Sequence, residues 1–279
     1  MSRIAARFAE LKTEGRGALI PFLEAYDPDL ATSTAILNGM PGAGADLIEI
    51  GMPFTDPMAD GPTIQAAGLR GLKAGATLTR TLAMVAKFRQ QDQFTPIILM
   101  GYLNPIDSYG PAKFCAAAAA AGVDGLIVVD LPTEEADLLV PHATQHGIDF
   151  IRLIAPTTDD QRLPHVLNGS SGFVYYVSIT GITGTASATM ASLEAAMPRI
   201  RAVTNLPIAI GFGIRSPQQA AEATRVADGA VVASTLIETL AKSLANGQAG
   251  PDTVRLVLDQ VRALAVGVRH ARVPEQVGA

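Results

Sequence analysis

Ala43-Gly44-Ala45-Asp46-Leu47-Ile48-Glu49-Ile50-Gly51 changes character half-way along. A glycine comes first, an aspartate follows two residues later, and a short apolar run then begins. The same joint recurs as Ala121-Gly122-Val123-Asp124 and as His146-Gly147-Ile148-Asp149. Glycine just past a helix end supplies the left-handed residue that stops the helix, because it carries no Cβ to resist positive φ. The repeated joint marks places where a helix hands over to a strand.

Working outward from these joints, eight short apolar runs are predicted as strands: residues 18–23, 46–51, 96–101, 124–130, 149–154, 172–178, 207–212 and 228–233. Several are nearly continuous Ile, Val and Leu, the composition of parallel strands covered on both faces. Helical segments lie between them. Residues 29–40 follow Pro28, 79–90 follow a Gly/Thr turn, and 133–146 open with Thr-Glu-Glu, a helix-start signature. Eight strand–helix beats favour a closed ring over an open doubly wound sheet. The open sheet would also need a glycine-rich turn after the first strand, where Pro21-Phe22-Leu23-Glu24-Ala25-Tyr26 has none. The expected fold class is α/β, a (β/α)8 TIM barrel. An extra helix precedes it and a closing helix over 251–267 ends it. No linker rich in Pro, Gly or Ser interrupts the chain, so residues 1–279 are expected to form one domain.

Bulk composition agrees. The 279 residues are 48% hydrophobic and 17% charged, with no Trp, which suits a buried parallel sheet and not a disordered chain. The net charge of −5, with 21 scattered Lys and Arg, disfavours nucleic acid as a partner. One cysteine, Cys115, excludes an internal disulfide and reads as a small buried spacer before a run of alanines. The amphipathic start lacks a signal peptide's apolar core, and no stretch is long enough for a membrane span. A cytoplasmic protein without membrane contact is expected.

In such a barrel the chemistry sits where the strands end. In the run 47–51, alternation puts Leu47, Glu49 and Gly51 on one face and Ile48 and Ile50 on the other. The apolar pair should meet the helices, which turns Glu49 into the barrel. Burial there raises a carboxyl's pKa, as a general acid or base requires. The alternative is a structural pairing of Glu49 with a buried arginine. The following loop is long and carries Asp56 and Asp60; one acid there would read as a turn residue or helix cap, but two after an inward Glu point to the site, with Asp56 alone open to either reading. Residues 179–191 carry no charge and are mostly small, so they read as a lid, or else as a plain surface loop. Gly211-Phe212-Gly213 after the seventh strand, and Ala233-Ser234 after the eighth, stand where barrels often hold phosphate. No Walker loop, nucleophile elbow or metal-spaced Cys/His set is present. His142 and His146 lie on a helix expected outside the barrel, and no Lys falls at an inward strand end. The residues therefore point to acid–base work on a phosphorylated substrate, with no metal and no cofactor in the chain.

The run 49–62 closely resembles the signature of the tryptophan synthase alpha subunit family. So do Leu99-Met100-Gly101-Tyr102-Leu103-Asn104-Pro105, Asp130-Leu131-Pro132, the segment 178–184 and Gly211-Phe212-Gly213-Ile214. The similarity keeps order and spacing from about Phe8 to the last helix. It implies cleavage of indole-3-glycerol phosphate to indole and glyceraldehyde 3-phosphate, with Glu49 and Asp60 as the catalytic pair. It further implies that Phe22, Met100, Tyr102, Val129, Leu153 and Phe212 enclose the indole. Tyr175 and Thr183 would support Glu49 and the lid, and Gly184, Gly213 and Ser234 would contact phosphate. Ala233 departs from the family, which usually has glycine there.

Family members work with a beta subunit that carries pyridoxal phosphate, in an alpha2beta2 heterotetramer. The loops 53–56, 102–109 and 131–133 would face that partner. A non-catalytic activator of the beta subunit, or another phosphate-binding barrel lyase or isomerase, are the alternative functions.

Overall fold

A computed structural model describes residues 2–177, 190–211 and 213–272. Its strands are β1 (Ala18–Glu24), β2 (Ile48–Gly51), β3 (Ile97–Gly101), β4 (Gly125–Val128), β5 (Asp149–Phe150), β6 (Arg152–Ile154), β7 (Val174–Val177), β8 (Ile208–Gly211) and β9 (Gly229–Val232). They follow the order β5-β4-β3-β2-β1-β9-β8-β7-β6, with every pairing parallel. The two outer members of that order, β5 and β6, are adjacent in sequence. The ring therefore closes on a fifth stave made of two pieces.

This corrects the expectation of one unbroken fifth strand over 149–154. Its first half pairs with β4 and its second with β7. At the break, the Ile151 N–H still reaches back to the Leu126 carbonyl, 2.9 Å away. The expected helix 133–146 is also divided, into a 3-10 turn (Thr133–Leu138) and a short α7 (Val140–Gln145). Pro141 lies in the first turn of α7, where its missing N–H is harmless. It has no N–H with which to continue a helix from upstream, and the chain leaves helical geometry at Leu139, φ −136°.

Two apolar layers fill the molecule. Alternate residues Ala18, Ile20, Leu47, Ile98, Ile127, Ile151, Phe173, Ala209 and Val231 fill the ring's interior. Ile4, Phe8 and Leu11 of α1 (Arg3–Thr13) close it from below, with Phe8 and Phe173 ring centres 5.8 Å apart. The opposite strand faces carry Leu19, Ile48, Ile50, Leu99, Val174, Ile208 and Ile210 outward against the helices. Each aliphatic side chain so buried contributes roughly 1.5–3 kcal/mol. The closing helix, α12 (Thr253–His270), runs three residues past the expected end. It buries Val257, Val261, Leu264 and Val268 at helical spacing against α2 (Leu30–Ala43) and α10 (Pro217–Val226).

The glycine–aspartate joints are built as well as patterned. Gly44, Gly122 and Gly147 all have positive φ. The Asp46 carboxylate then accepts from the Leu19 N–H, and that of Asp124 from the Ile97 N–H, each at 2.8 Å. Arginines converge on the same acids from below: Arg7 and Arg16 on Asp46, Arg3 and Arg89 on Asp124. At Asp46 and Asp124 the joint thus ends a helix, satisfies a donor near the start of a neighbouring strand and anchors the plug helix α1.

Candidate active site

At the C-terminal rim of the strands the interior opens into a cavity of about 630 Å³. Glu49, Asp60, Phe22, Met100, Tyr102, Val129, Tyr175, Gly213 and Ser234 all line it, although they come from eight separated parts of the chain.

Glu49 pairs with Phe22 on one side and Ile98 on the other, and its neighbours Leu47 and Ile48 divide between the inner and outer layers as alternation requires. Its carboxyl is 1% exposed, and neither oxygen has a hydrogen-bond partner among the described residues. A structural pairing with arginine is thereby excluded among them. Loss of hydration disfavours the charged form, and burial pushes this carboxyl up from 4.5 to about 8. A buried, unpartnered acid that keeps its proton at neutral pH is expensive to maintain and well suited to giving that proton away.

Asp60 closes the loop after β2, just before α3 (Pro62–Lys73). It is half-buried, and burial raises it from 3.8 to about 6, while a hydrogen bond from the Tyr102 hydroxyl holds it down. That hydroxyl in turn accepts from the Ala59 N–H at 3.0 Å, and the Tyr102 ring packs 5.5 Å from Phe54. At neutral pH the two acids therefore differ: Glu49 holds a proton and Asp60 accepts one. Environments that separate two carboxyls in this way assign them opposite roles. Asp56 is exposed, is bonded to the Thr55 hydroxyl and does not line the cavity, so it belongs to the turn.

Tyr175 stands inward on β7, pushed well above its usual range by burial and by the proximity of Glu49. It needs the space left at Gly211 on β8, where a Cβ would come within 2.1 Å of its hydroxyl oxygen. Across the cavity, Gly213 has φ +84°, and Ser234 opens α11 (Ser234–Ser243) after Ala233. Ala233, the residue before Ser234, lines the cavity as well. Free N–H groups at such a helix start favour an anion.

Leu153 joins the interior layer beneath the cavity but is not part of its lining. Thr183, Gly184 and Phe212 lie outside the described residues. So does the expected lid 179–191, except for its last two residues in α9 (Met190–Arg201). Three ionisable lining residues had no assigned role in the sequence reading: Glu24, Arg215 and Glu238, the last two forming an ion pair. Glu24 shares a strand face with Ala18, Ile20 and Phe22, and that alternation was the signal for it.

Among the described residues no group of three or more His, Cys, Asp or Glu could hold a metal ion, and no helix is long and apolar enough to cross a membrane. Cys115 is buried, and its thiol is raised to about 11, which leaves it unreactive.

Comparison with known proteins points in one direction. Residues 8–265 match the family described as tryptophan synthase alpha chain. The chain is 71% identical over 272 residues to the tryptophan synthase alpha chain of Granulibacter bethesdensis, covering 98% of each. It is 68% identical to that of Gluconacetobacter diazotrophicus, covering 98% of this chain and 100% of the relative. The crystal structure of tryptophan synthase subunit alpha from Legionella pneumophila superposes with TM-score 0.88 at 35% identity, over 96% of this chain and 98% of that one. A Mycobacterium tuberculosis tryptophan synthase structure gives 0.86 at 34%, over 96% and 98%.

Proposed function

The chain belongs to the tryptophan synthase alpha chain family, and on that footing we propose that it cleaves indole-3-glycerol phosphate with Glu49 and Asp60 as its catalytic pair. The observation that carries the assignment is the setting of two carboxyls in one cavity: Glu49 is buried without a hydrogen-bond partner among the described residues, and Asp60 is half-buried beside the Tyr102 hydroxyl, which raises them to about 8 and about 6.

The steps follow from those states. The Glu49 acid donates its proton to indole C3 while the Asp60 carboxylate takes the ring N–H proton. The ring becomes an electron-accepting indolenine. Glu49, now a carboxylate, removes the proton from the side-chain hydroxyl next to C3. The O–H electrons form the aldehyde, the C3 to side-chain bond breaks, and its electron pair returns through the ring to nitrogen. Nitrogen recovers its proton from Asp60, and Glu49 again holds one. Indole and glyceraldehyde 3-phosphate leave, and both carboxyls are reset. General acid–base catalysis of this type contributes about 10²–10⁴-fold.

Phe22, Met100, Tyr102 and Val129 supply the apolar wall for the ring. Gly213, Ser234 and the start of α11 are the phosphate contacts within the described residues. Thr183, Gly184 and Phe212 complete the assignment from the resemblance, with Leu153 supporting the wall from below. A beta subunit carrying pyridoxal phosphate is the partner that consumes indole, in an alpha2beta2 assembly in the cytoplasm.

The test is an assay of the purified chain on indole-3-glycerol phosphate in the presence of a chelator, with and without a beta subunit. Indole and glyceraldehyde 3-phosphate are expected in equal amounts. No indole in either case would refute the function.

A further inference from the structure

Arg215 is fixed by its neighbours in the loop after β8. Ile214 is buried in the outer apolar layer, and Ser216 caps α10, its Oγ accepting from the Gln219 N–H at 3.2 Å. The Gln219 side chain reaches back, its Oε1 accepting from the Arg215 N–H at 2.8 Å, so the helix start is capped from both directions. The Arg215 side chain lines the cavity, and its Nη2 donates to Oε2 of Glu238. Glu238 stands four residues after Ser234, so the two share one face of α11, and both line the cavity. The ion pair therefore joins the two elements that bring Gly213 and Ser234 to the site. The Arg215 side chain is nevertheless 55% exposed, and no acceptor for its Nε or Nη1 is found among the described residues. An ion pair so exposed adds little stability and breaks readily.

The charges around the cavity give that pair a use. Its described lining carries four carboxyls, Glu24, Glu49, Asp60 and Glu238, against one cationic side chain, Arg215. A phosphate monoester brings a charge of about −1.5 to −2 at neutral pH. Backbone N–H groups and the Ser234 hydroxyl can give it hydrogen bonds but no counter-charge. We propose that Arg215 binds the substrate's phosphate and selects for it, turning from Glu238 to the phosphate oxygens as the substrate enters. The inference rests on the phosphorylated substrate proposed above. Glu238 is then the competing acceptor: it holds the guanidinium at the edge of the empty site and takes it back when the phosphorylated product leaves. A guanidinium suits both partners, since its planar fork matches carboxylate and phosphate alike. A ligand without the phosphate gains nothing from the exchange.

The experiment compares wild type, Arg215→Gln and Glu238→Gln, each saturated with the beta partner, in kcat and KM for indole-3-glycerol phosphate and in inhibition by inorganic phosphate and by indole. Arg215→Gln should raise KM about tenfold and keep kcat within about threefold, the usual effect of losing a hydrogen bond to a charge that is present throughout the reaction. Inhibition by inorganic phosphate should weaken to the same degree, and inhibition by indole should not change. Glu238→Gln removes the competitor and should lower KM by about two- to fivefold, the worth of the exposed pair it breaks. An unchanged KM in Arg215→Gln would overturn the proposal. So would weaker inhibition by indole and phosphate alike, the mark of a distorted cavity. A KM in Glu238→Gln that stays level or rises would overturn the exchange. Failure of wild type to release any indole would sink the function instead. Calorimetric titration of wild type and Arg215→Gln with inorganic phosphate would still decide the role of Arg215: weaker binding by the variant supports it, and equal binding overturns it.

Discussion

Two carboxyls of one cavity are tuned by different means: Glu49 by burial without a hydrogen-bond partner among the described residues, Asp60 by partial burial relieved by a tyrosine hydroxyl. The rate should therefore need Asp60 ionised and Glu49 protonated. The kcat/KM profile for indole release is expected to rise through about pH 6 and fall through about pH 8. A profile flat across that window would contradict the assignment. The same burial affects stability. An unfolded Glu49 loses its proton near 4.5 and the folded one near 8, so between these values only the folded state binds the proton. Stability is then fully present below about 4.5 and drains away as pH rises to about 8. Glu49→Gln should be more stable than wild type by a margin that grows over this window to on the order of a few kcal/mol. Denaturant unfolding at both ends of the window measures it, and a constant margin would refute it. Glu49 could be found in the sequence because alternation on a four-residue apolar run leaves one inward position for it. Glu24 was not found, because the strand was expected to end at Leu23 and an acid beyond a strand end looks like a turn.

At the level of elements, the glycine–aspartate joints do the most work per residue. Gly122 has φ +88°, and a Cβ there would meet Arg89 Cγ at 2.6 Å. Gly122→Ala should therefore cost more than the roughly 1 kcal/mol of an unfavourable left-handed alanine, with a Tm lower by several degrees. Asp124→Ala leaves the Arg89 guanidinium, which is 7% exposed, without its buried counter-charge and with only the carbonyls of Gly122, Asp92 and Thr95 as acceptors. Its expected cost is about 3–5 kcal/mol, since one partner of a buried pair remains uncompensated. Calorimetry reads both, and an unchanged Tm in either would show the joint to be decorative. These joints, with the apolar runs behind them, made the barrel legible. The broken fifth stave was not, because the switch of β5 and β6 between different neighbours is decided by ring closure and leaves no mark on local hydrophobicity. The split at 133–146 was marked by Pro141, whose effect the stronger Thr-Glu-Glu signal concealed.

Across the whole molecule, the open rim of the ring is the cavity mouth, and it carries the loops proposed to meet a beta subunit. Met58 sits there, 82% exposed, in the loop that also carries Asp60. A charge at that position should disturb docking without reaching the chemistry. Met58→Asp is expected to weaken association with a beta subunit by about tenfold or more, the scale of one lost interface contact, while indole release by the isolated chain stays within about twofold. Unaltered binding would place the partner face elsewhere. The phosphate side was legible only as position in the repeat, since glycines and a serine carry little signal until the ring brings Gly213 and Ser234 to one cavity. All of these readings depend on the inward carboxyl of Glu49. The most direct check is the rate of indole formation by Glu49→Gln beside wild type, each saturated with the beta subunit. A loss of at least about a hundredfold, with the complex intact, is expected of a general acid–base residue. A Gln variant that makes indole at the wild-type rate would contradict the account.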